Sequence, residues 1–503
     1  MLGLLFEGLK TTFQPQIFFV LLLGVAGGIA IGALPGLTAT TGVAVLLPLT
    51  FGMDATAALV MLVGVYIGAI YGGSIPAILL KTPGTPAGAA TVLDGYSLTT
   101  QGEAAKALSM ATIASFTGGM TSTIMLITIS PILANFALKF SAPEYFALAV
   151  FGLSIIASIS GTNPIKGLLA GFFGLFIATV GMDPITSLPR FTFGKLALLN
   201  GFAVIPVLIG LFAVAEALVQ MEKILEEEYA IKTKFKKAII SLKELIKVAP
   251  TMLKSALLGT FIGAVPGAGA DIAAFTAYNE ARRSSKHPEK FGTGVLEGIA
   301  APEAANNGVT GGALVPLLTL GVPGDAVAAI MLGALIIQGL QPGPLLFQKN
   351  ADVVYGLFGA MLIGNILMLT LGLLGIKVFG KIIEIPKKII VPIIISLSIV
   401  GAYAMNNSIF DIWVALAFGV IGYIMQKIEM PASPIVLAII LGPMAETNLR
   451  KAMLMYQGDW SFLYTRPITV VFLFLAVFSV VSSYVRMQKS IKNAAGSEQE
   501  SNS

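Results

Sequence analysis

The sequence predicts an all-α polytopic membrane protein built from two internal repeats, and three observations predict it. Of its 503 residues 56% are hydrophobic and only 11% are charged, whereas a soluble protein carries about 25% charged residues; mean hydropathy is +0.88. Apolar runs recur at 17–34, 55–80, 144–160, 200–219, 353–376, 389–404 and 467–485, close to the ~20 residues that a span requires. The strings IGALPG at 31–36 and IGAVPG at 262–267 share five of six letters. Counting interrupted segments, about 10–12 hydrophobic segments are expected.

Taken in order, Glu7 and Lys10 precede a first run that continues into further membrane sequence. It reads as a retained span, although the small residues around Ala26 imitate a cleavage site. Residues 1–219 form the N-terminal membrane repeat. Residues 220–254 then turn polar, with eight lysines and five glutamates, while Leu225, Ile239, Ile240, Leu242, Leu245 and Ile246 give one apolar side. This segment reads as an amphipathic linker at the membrane surface, cytoplasmic by its lysines. Residues 255–466 form the C-terminal repeat, 467–486 a terminal transmembrane helix, and 487–503 a disordered tail on the same side as the linker. The net charge of +5 is modest, and there is no cysteine, which excludes disulfides and thiolate metal sites.

The two halves match beyond the first string. GGSIPAILLKTPGTPA at 72–87 parallels GGALVPLLTLGVPGDA at 311–326, with seven positions from Pro76 to Pro83 and from Pro316 to Pro323. Residues 94–108 follow 338–357 more loosely. From Pro35 to Pro83 is 48 positions and from Pro266 to Pro323 is 57, and the polar insertion NEARRSSKHPEKFG at 279–292 takes up the difference. Composition alone makes Gly- and Pro-rich membrane helices alike, but it does not reproduce order and spacing. Each repeat is expected to hold two Pro-Gly-broken helices or re-entrant hairpins, inverted in the membrane as alternating access commonly requires. Basic segments at both ends of the second half ask for an even number of crossings there, and inversion for an odd number. A terminal helix outside the repeat reconciles the two.

Proline inside a helix costs about 3 kcal/mol and glycine about 1 relative to alanine, and irregular backbone survives in hydrocarbon only when buried or lining a polar cavity. Four such breaks in related pairs therefore point to a site. A half-helix N-terminus offers free N–H groups and partial positive charge to an anion. The substrate-binding candidates are Pro35, Gly36, Thr38, Thr40 and Thr41 at the first break and Lys81, Thr82, Pro83, Gly84 and Thr85 at the second. Pro266, Gly267 and Gly269 follow at the third, and Pro323 and Gly324 at the fourth. Asp325 suits a helix cap, and Pro86 a helix start. Lys81 equally fits a lysine that snorkels, and the threonines equally fit helix packing. A site rich in donors and poor in aromatic rings suits a small anion of several charges.

Moving such an anion against an inside-negative potential costs about 2.3 kcal/mol per charge per 100 mV, so cations must accompany it. Intramembrane carboxylates are the natural carriers, and Asp271, Glu297 and Glu303 are available. Glu303, Asn306 and Asn307 fall on one helix face at i, i+3 and i+4, able to hold Na+ or relay H+. The cation-coupling candidates are thus Asp271, Glu303, Asn306 and Asn307, with no other metal or cofactor expected. Structural alternatives are a lysine partner for Glu303, inter-helix bonds for the amides and a cap for Asp271. No phosphate-binding loop, zinc motif or serine elbow occurs, and the single histidine, His287, lies in the charged insertion. A secondary anion transporter is favoured. An anion channel would lean on symmetric oligomers and filters, and a membrane-embedded enzyme on tightly paired acid and base groups.

Three strings carry a family resemblance: GALPGLTATTGVAVLLPLTFGMD (32–54), YIGAIYGGSIPAILLKTPGTPAGAATVLDGY (66–96), and the stretch from GAVPGAGADIAAF at 263 to GLQPGP ending at 344. In these the chain resembles the large membrane subunit of the tripartite tricarboxylate transporters, the TctA family, from about residue 15 to about 475. The resemblance implies a permease subunit in the cytoplasmic membrane, importing citrate-like carboxylates with Na+ or H+. An extracytoplasmic solute-binding protein would deliver the substrate, and a small membrane subunit would accompany the large one. No nucleic acid is implied, and a homo-oligomer is compatible.

Overall fold

The computed structural model describes residues 2–156, 164–222, 240–376, 378, 379, 382 and 385–482. The middle of the expected linker (223–239), the end of the expected terminal helix (483–486) and the tail (487–503) lie outside these. The described residues are helical almost throughout. In the first half run α1 (Leu2–Thr12), α2 (Pro15–Gly32), α3 (Ala39–Leu46), α4 (Ala55–Gly72), α5 (Ser74–Leu80), α6 (Gly88–Thr100) and α7 (Ala104–Ala137). They are followed by α8 (Ala142–Ser154), α9 (Pro164–Ala178) and α10 (Val204–Glu222), the last with a π-helical stretch at Ile209–Val214.

In the second half come α11 (Leu242–Ala264), α12 (Gly269–Ser284), α13 (Leu296–Leu320), α14 (Ala326–Ile337), α15 (Pro344–Lys349) and α16 (Ala351–Gly375). Then come α17 (Lys387–Asn406), α18 (Ile409–Lys427) and α19 (Ser433–Met455), and the described residues end in a shorter apolar helix at Pro467–Ser482, within the terminal helix expected at 467–486. Among the described residues the one pair of strands is a two-residue antiparallel pairing of Gly181–Met182 with Pro189–Arg190.

Among the described residues eight helical segments are long and apolar enough to cross a membrane. They include the runs expected at 17–34, 55–80, 200–219, 353–376 and 389–404, and add Ala104–Ala137, Leu242–Ala264 and Ile409–Lys427. Local chemistry sets their ends. Asp54 caps α4 by accepting from the Ala57 N–H at 3.0 Å, and Ser141 with Glu144 forms a reciprocal capping box on α8. Ser241 and Glu244 form another on α11, so the linker expected at 220–254 gives way to a spanning helix by residue 242. The run expected at 144–160 is helical over Ala142–Ser154, and its residues 157–160 lie outside the described ones.

The helices group into two compact units, Met1–Leu138 with Ile205–Tyr423, and Lys139–Val204 with Ile424–Ser503. Both take chain from each of the sequential halves, so this grouping differs from the division at 219 and 255 drawn along the sequence. In the smaller unit α8 and α9 pack on α19. Beside them Arg190 makes a bidentate pair with Glu446 (2.6 and 3.2 Å), and Arg450 reaches both Asp183 and Glu446 at 2.7 Å. The turn amides of Thr186 and Ile185, together with Arg450, hold the Asp183 carboxyl well below the usual carboxylate range.

The larger unit is organised by glycine. A methyl added at Gly28 or Gly32 of α2 would run into the carbonyl oxygen of Val65 or Ala69 on α4, and one at Gly68 into that of Val25. In the second half, a methyl at Gly259 of α11 would run into Ala305 of α13, and one at Gly312 into Thr260. Gly28 stands to Val65 as Gly259 stands to Ala305, and Gly68 to Val25 as Gly308 to Ala256. Backbones approach this closely only where side chains are absent, as at small-residue contacts between membrane helices. The close glycine contacts between α2 and α4 thus have counterparts at corresponding positions between α11 and α13. The remaining long helices exchange partners across this pattern: α7 packs on α13 and α16 on α4.

Candidate site at the interrupted helices

Each Pro-Gly pair ends one helix and begins another. At the first, Gly36 turns the chain with φ +89°, and Thr38 caps α3 by accepting from the Thr41 N–H at 3.1 Å. The Thr38 and Thr41 hydroxyls lie 3.0 Å apart; Thr41 is buried, whereas Thr40, like Pro35, is half-buried. At the second, Lys81 closes α5 in the left-handed conformation, φ +61°. It is exposed, with its ammonium 5.9 Å from the Tyr96 ring centre. The Thr82 hydroxyl donates to the Leu80 carbonyl at 3.3 Å. After Pro83 and Gly84, Thr85 accepts from the Gly88 N–H at 3.2 Å, so α6 starts at Gly88 rather than at Pro86.

At the third, Pro266 and Gly267 are buried and α12 begins at Gly269 without a capping side chain. Asp271 sits exposed in its first turn and is not the cap. At the fourth, Gly321 closes α13 with φ +72° in the place that Lys81 holds on α5. Beyond the buried Pro323 and Gly324, Asp325 caps α14 by accepting from the Ala328 N–H at 2.7 Å. At three of the four breaks a side chain thus satisfies a first-turn amide, which narrows the supply of free N–H groups that the sequence suggests.

Within each half the two breaks meet. A methyl on Gly84 would stand 2.6 Å from the Gly32 carbonyl oxygen, and one on Gly324 would run into that of Gly263. The Gly267 N–H donates to the Gly324 carbonyl at 2.6 Å. Helices that follow the breaks also join across halves: α3 packs on α14 and α6 on α12. Ala87 and Ala90 cluster with Ala274 and Tyr278, and the Tyr66 hydroxyl of α4 donates to Asp325 at 2.5 Å.

The second polar group lies on α13, where every residue from Gly298 to Thr319 is buried. Glu303 is fully covered. It accepts from the Thr91 hydroxyl at 2.5 Å and the Ser115 hydroxyl at 3.1 Å, and among the described residues no lysine or arginine pairs with it. Asn307 donates to the Glu303 carbonyl at 3.0 Å. Asn307 Oδ1, both side-chain polar atoms of Asn306, and Asn365 Oδ1 are buried without a hydrogen-bond partner, which a native protein rarely leaves without a role.

Asn365 approaches α7 from α16 and also donates to Thr123 and the Met361 carbonyl. It leaves no room for a side chain at Gly119 of α7. Along α7, Ser115 touches Glu303, Gly118 meets Ala304 and Ser122 meets Gly311, so Gly119 lies beside the stretch that holds Asn306 and Asn307. Three carboxamide oxygens and one carboxylate are hard ligands of the kind that small cations take. Asp271 makes no hydrogen bond to this group, and Glu297 lies at the start of α13, 3.8 Å from Lys247.

Sequence reasoning missed several partners. Thr91, Ser115 and Asn365 could have been flagged only as polar residues in small-residue or apolar stretches. Asp94 is wholly buried and accepts from the N–H groups of Gly292, Gly294 and Val295 and from the Tyr278 hydroxyl; it pins the polar insertion to α6. Gln220, following the π-helical stretch, donates to Glu216 at 2.7 Å and to the Pro35 carbonyl at 3.4 Å, and so ties α10 to the first break.

Fold and site together define a multi-pass membrane protein whose buried polar groups gather at paired, interrupted helices. The chain belongs to the tripartite tricarboxylate transporter TctA family, whose sequence pattern matches residues 18–437. It is therefore a membrane component of a transporter that works with other subunits. It is 36% identical over 474 residues, 94% of each chain, to an Agrobacterium vitis protein described as an uncharacterized 52.8 kDa protein in the TAR-I ttuC′ 3′ region. It is also 36% identical over 223 residues to an uncharacterized protein in the TAR-II ttuC′ 3′ region of the same organism, covering 44% of this chain and 92% of that one. No solved structure matches it.

Proposed function

We propose that the chain is the permease subunit of a cation-coupled uptake system for citrate-like di- or tricarboxylates, residing in the cytoplasmic membrane. An extracytoplasmic solute-binding protein feeds it and a small membrane subunit accompanies it. The carrying observation is the covered carboxylate of Glu303 on the same buried stretch of α13 as Asn306 and Asn307, whose carboxamide oxygens, like that of Asn365, have no hydrogen-bond partner. One negative charge among neutral oxygens suits a monovalent ion, and among the described residues no cluster of three or more acidic, histidine or cysteine side chains offers a divalent site. Na+ held there, or H+ on Glu303, supplies the positive charge that offsets the anion. The carboxylate binds among the four breaks, at Thr38, Thr40, Thr41, Lys81, Thr82 and Thr85 on one side and Gly267, Gly269 and Gly324 on the other. Inversion of the two repeats then exchanges access across them.

Uptake by the reconstituted complex is the test, with mono-, di- and tricarboxylates in the presence and absence of a sodium or proton gradient. Saturable accumulation confined to one class of acid and dependent on one gradient is expected; flux that neither saturates nor follows a gradient would identify a channel. Lys81 gives a sharper check. A non-glycine residue in the left-handed region carries a strain of about 1 kcal/mol or more, so Lys81→Gly should leave the melting temperature unchanged or raised while weakening carboxylate uptake. Undiminished uptake by that variant removes Lys81 from the site.

A further inference from the structure

Away from the interrupted helices, the face between α11 and α12 forms an open cavity of about 1000 Å³. Five cationic side chains line it, Lys247, Lys254, Arg283, Lys286 and Lys290, against two glutamates, Glu280 and Glu297. Glu280 organises the rim: Lys254 Nζ and Arg283 each reach it at 2.7 Å. Hydrogen bonds from Lys254 and Ser284, with Arg283 beside them, hold its carboxyl down at about 2, so the rim keeps its ion pairs throughout the physiological range. Lys286 and Lys290 stand exposed on the turn beyond α12.

The wall changes character along one helix face. Lys247, Thr251, Lys254, Leu258 and Phe261 follow one another on α11 at spacings of three and four residues, hence on one side. Over about 21 Å that side passes from ammonium groups to hydrocarbon, with Leu257 43% and Phe261 61% exposed. A free anion would satisfy the cations and leave the apolar end unmatched. An amphiphile with a charged head and a hydrocarbon tail matches both ends at once, and basic pockets between membrane helices bind lipid headgroups for this reason. The charge complement and the polarity gradient together select the occupant.

We propose that this groove binds an anionic phospholipid, its phosphate among the cationic side chains and an acyl chain along Leu257 and Phe261. The site does not rest on the transport reading and uses none of its residues.

The test is thermal unfolding of the purified full-length protein in neutral detergent, titrated with phosphatidylglycerol, phosphatidylcholine or inorganic phosphate. Phosphatidylglycerol should stabilise at concentrations where the other two do not. Each lysine near a headgroup is worth about a fivefold change in affinity, so the Lys286→Gln/Lys290→Gln double variant, altered only on an exposed turn, should need about 25-fold more of the lipid. Phe261→Ala should keep the preference for the charged head and lose sensitivity to acyl-chain length. Equal stabilisation by phosphatidylcholine, full reproduction by inorganic phosphate, or an unchanged response of the double variant would each overturn the proposal. So would crosslinking at Phe261 in native membranes that captures a polypeptide in place of lipid.

Discussion

Gly28→Ala and Gly259→Ala are expected to lower the unfolding temperature by similar and large amounts, whereas Gly27→Ala, on the neighbouring position of α2, should not. A methyl at Gly28 collides with the Val65 carbonyl and one at Gly259 with the Ala305 carbonyl, both rigid helix backbone, while one at Gly27 meets only the tip of Leu46 at 3.9 Å. Overpacking a tight contact costs about 1–3 kcal/mol and sometimes more. Alanine at an unobstructed helix position gains up to about 1 kcal/mol over glycine, so Gly27→Ala controls for helix propensity. Parallel losses at positions far apart in sequence would mean that α2–α4 and α11–α13 are the same joint built twice. Melting of either variant like Gly27→Ala would refute the close approach.

Glu303→Gln should produce the largest functional change. Gln keeps the volume and a hydrogen-bonding head, so the fold survives, but Thr91 and Ser115 lose a charged acceptor, and such bonds are about twice as strong as neutral ones. The half-saturating cation concentration for uptake is expected to rise about tenfold or more, equivalent to ~1.4 kcal/mol, with the order of preference among carboxylates retained. A cation response identical to that of the native protein would assign Glu303 to packing alone. Cation-dependent thermal stabilisation of the purified protein gives the same readout without transport and guards against loss of a partner subunit.

Much of this architecture is legible in the sequence, for reasons that particular segments make plain. Runs such as 17–34 and 353–376 announce their helices because apolar length is what a bilayer demands. The helices Ala104–Ala137 and Leu242–Ala264 hide, the first behind serine, threonine and glycine, the second behind lysines that merge with the linker. The four breaks are written openly as Pro-Gly pairs, and so is Glu303 with its amides at helical spacing. What they touch is not. Thr91, Ser115 and Asn365 are brought to Glu303 and its neighbours from helices remote in sequence, and single residues of common type carry no periodic signal. The caps at Thr38 and Thr85 were similarly out of reach: a threonine after Pro-Gly reads as a donor to a ligand until coordinates show it accepting from its own helix.

The paired caps carry one more consequence. Thr85 and Asp325 do the same mechanical task in the two halves, each receiving the N–H three residues ahead, yet one is neutral and the other a carboxylic acid. The positive end of α6 therefore keeps its field, whereas an ionised Asp325 cancels that of α14. Two helix ends capped in the same way thus differ in charge: with Asp325 ionised, the tip of α14 would attract an anion less strongly than the tip of α6.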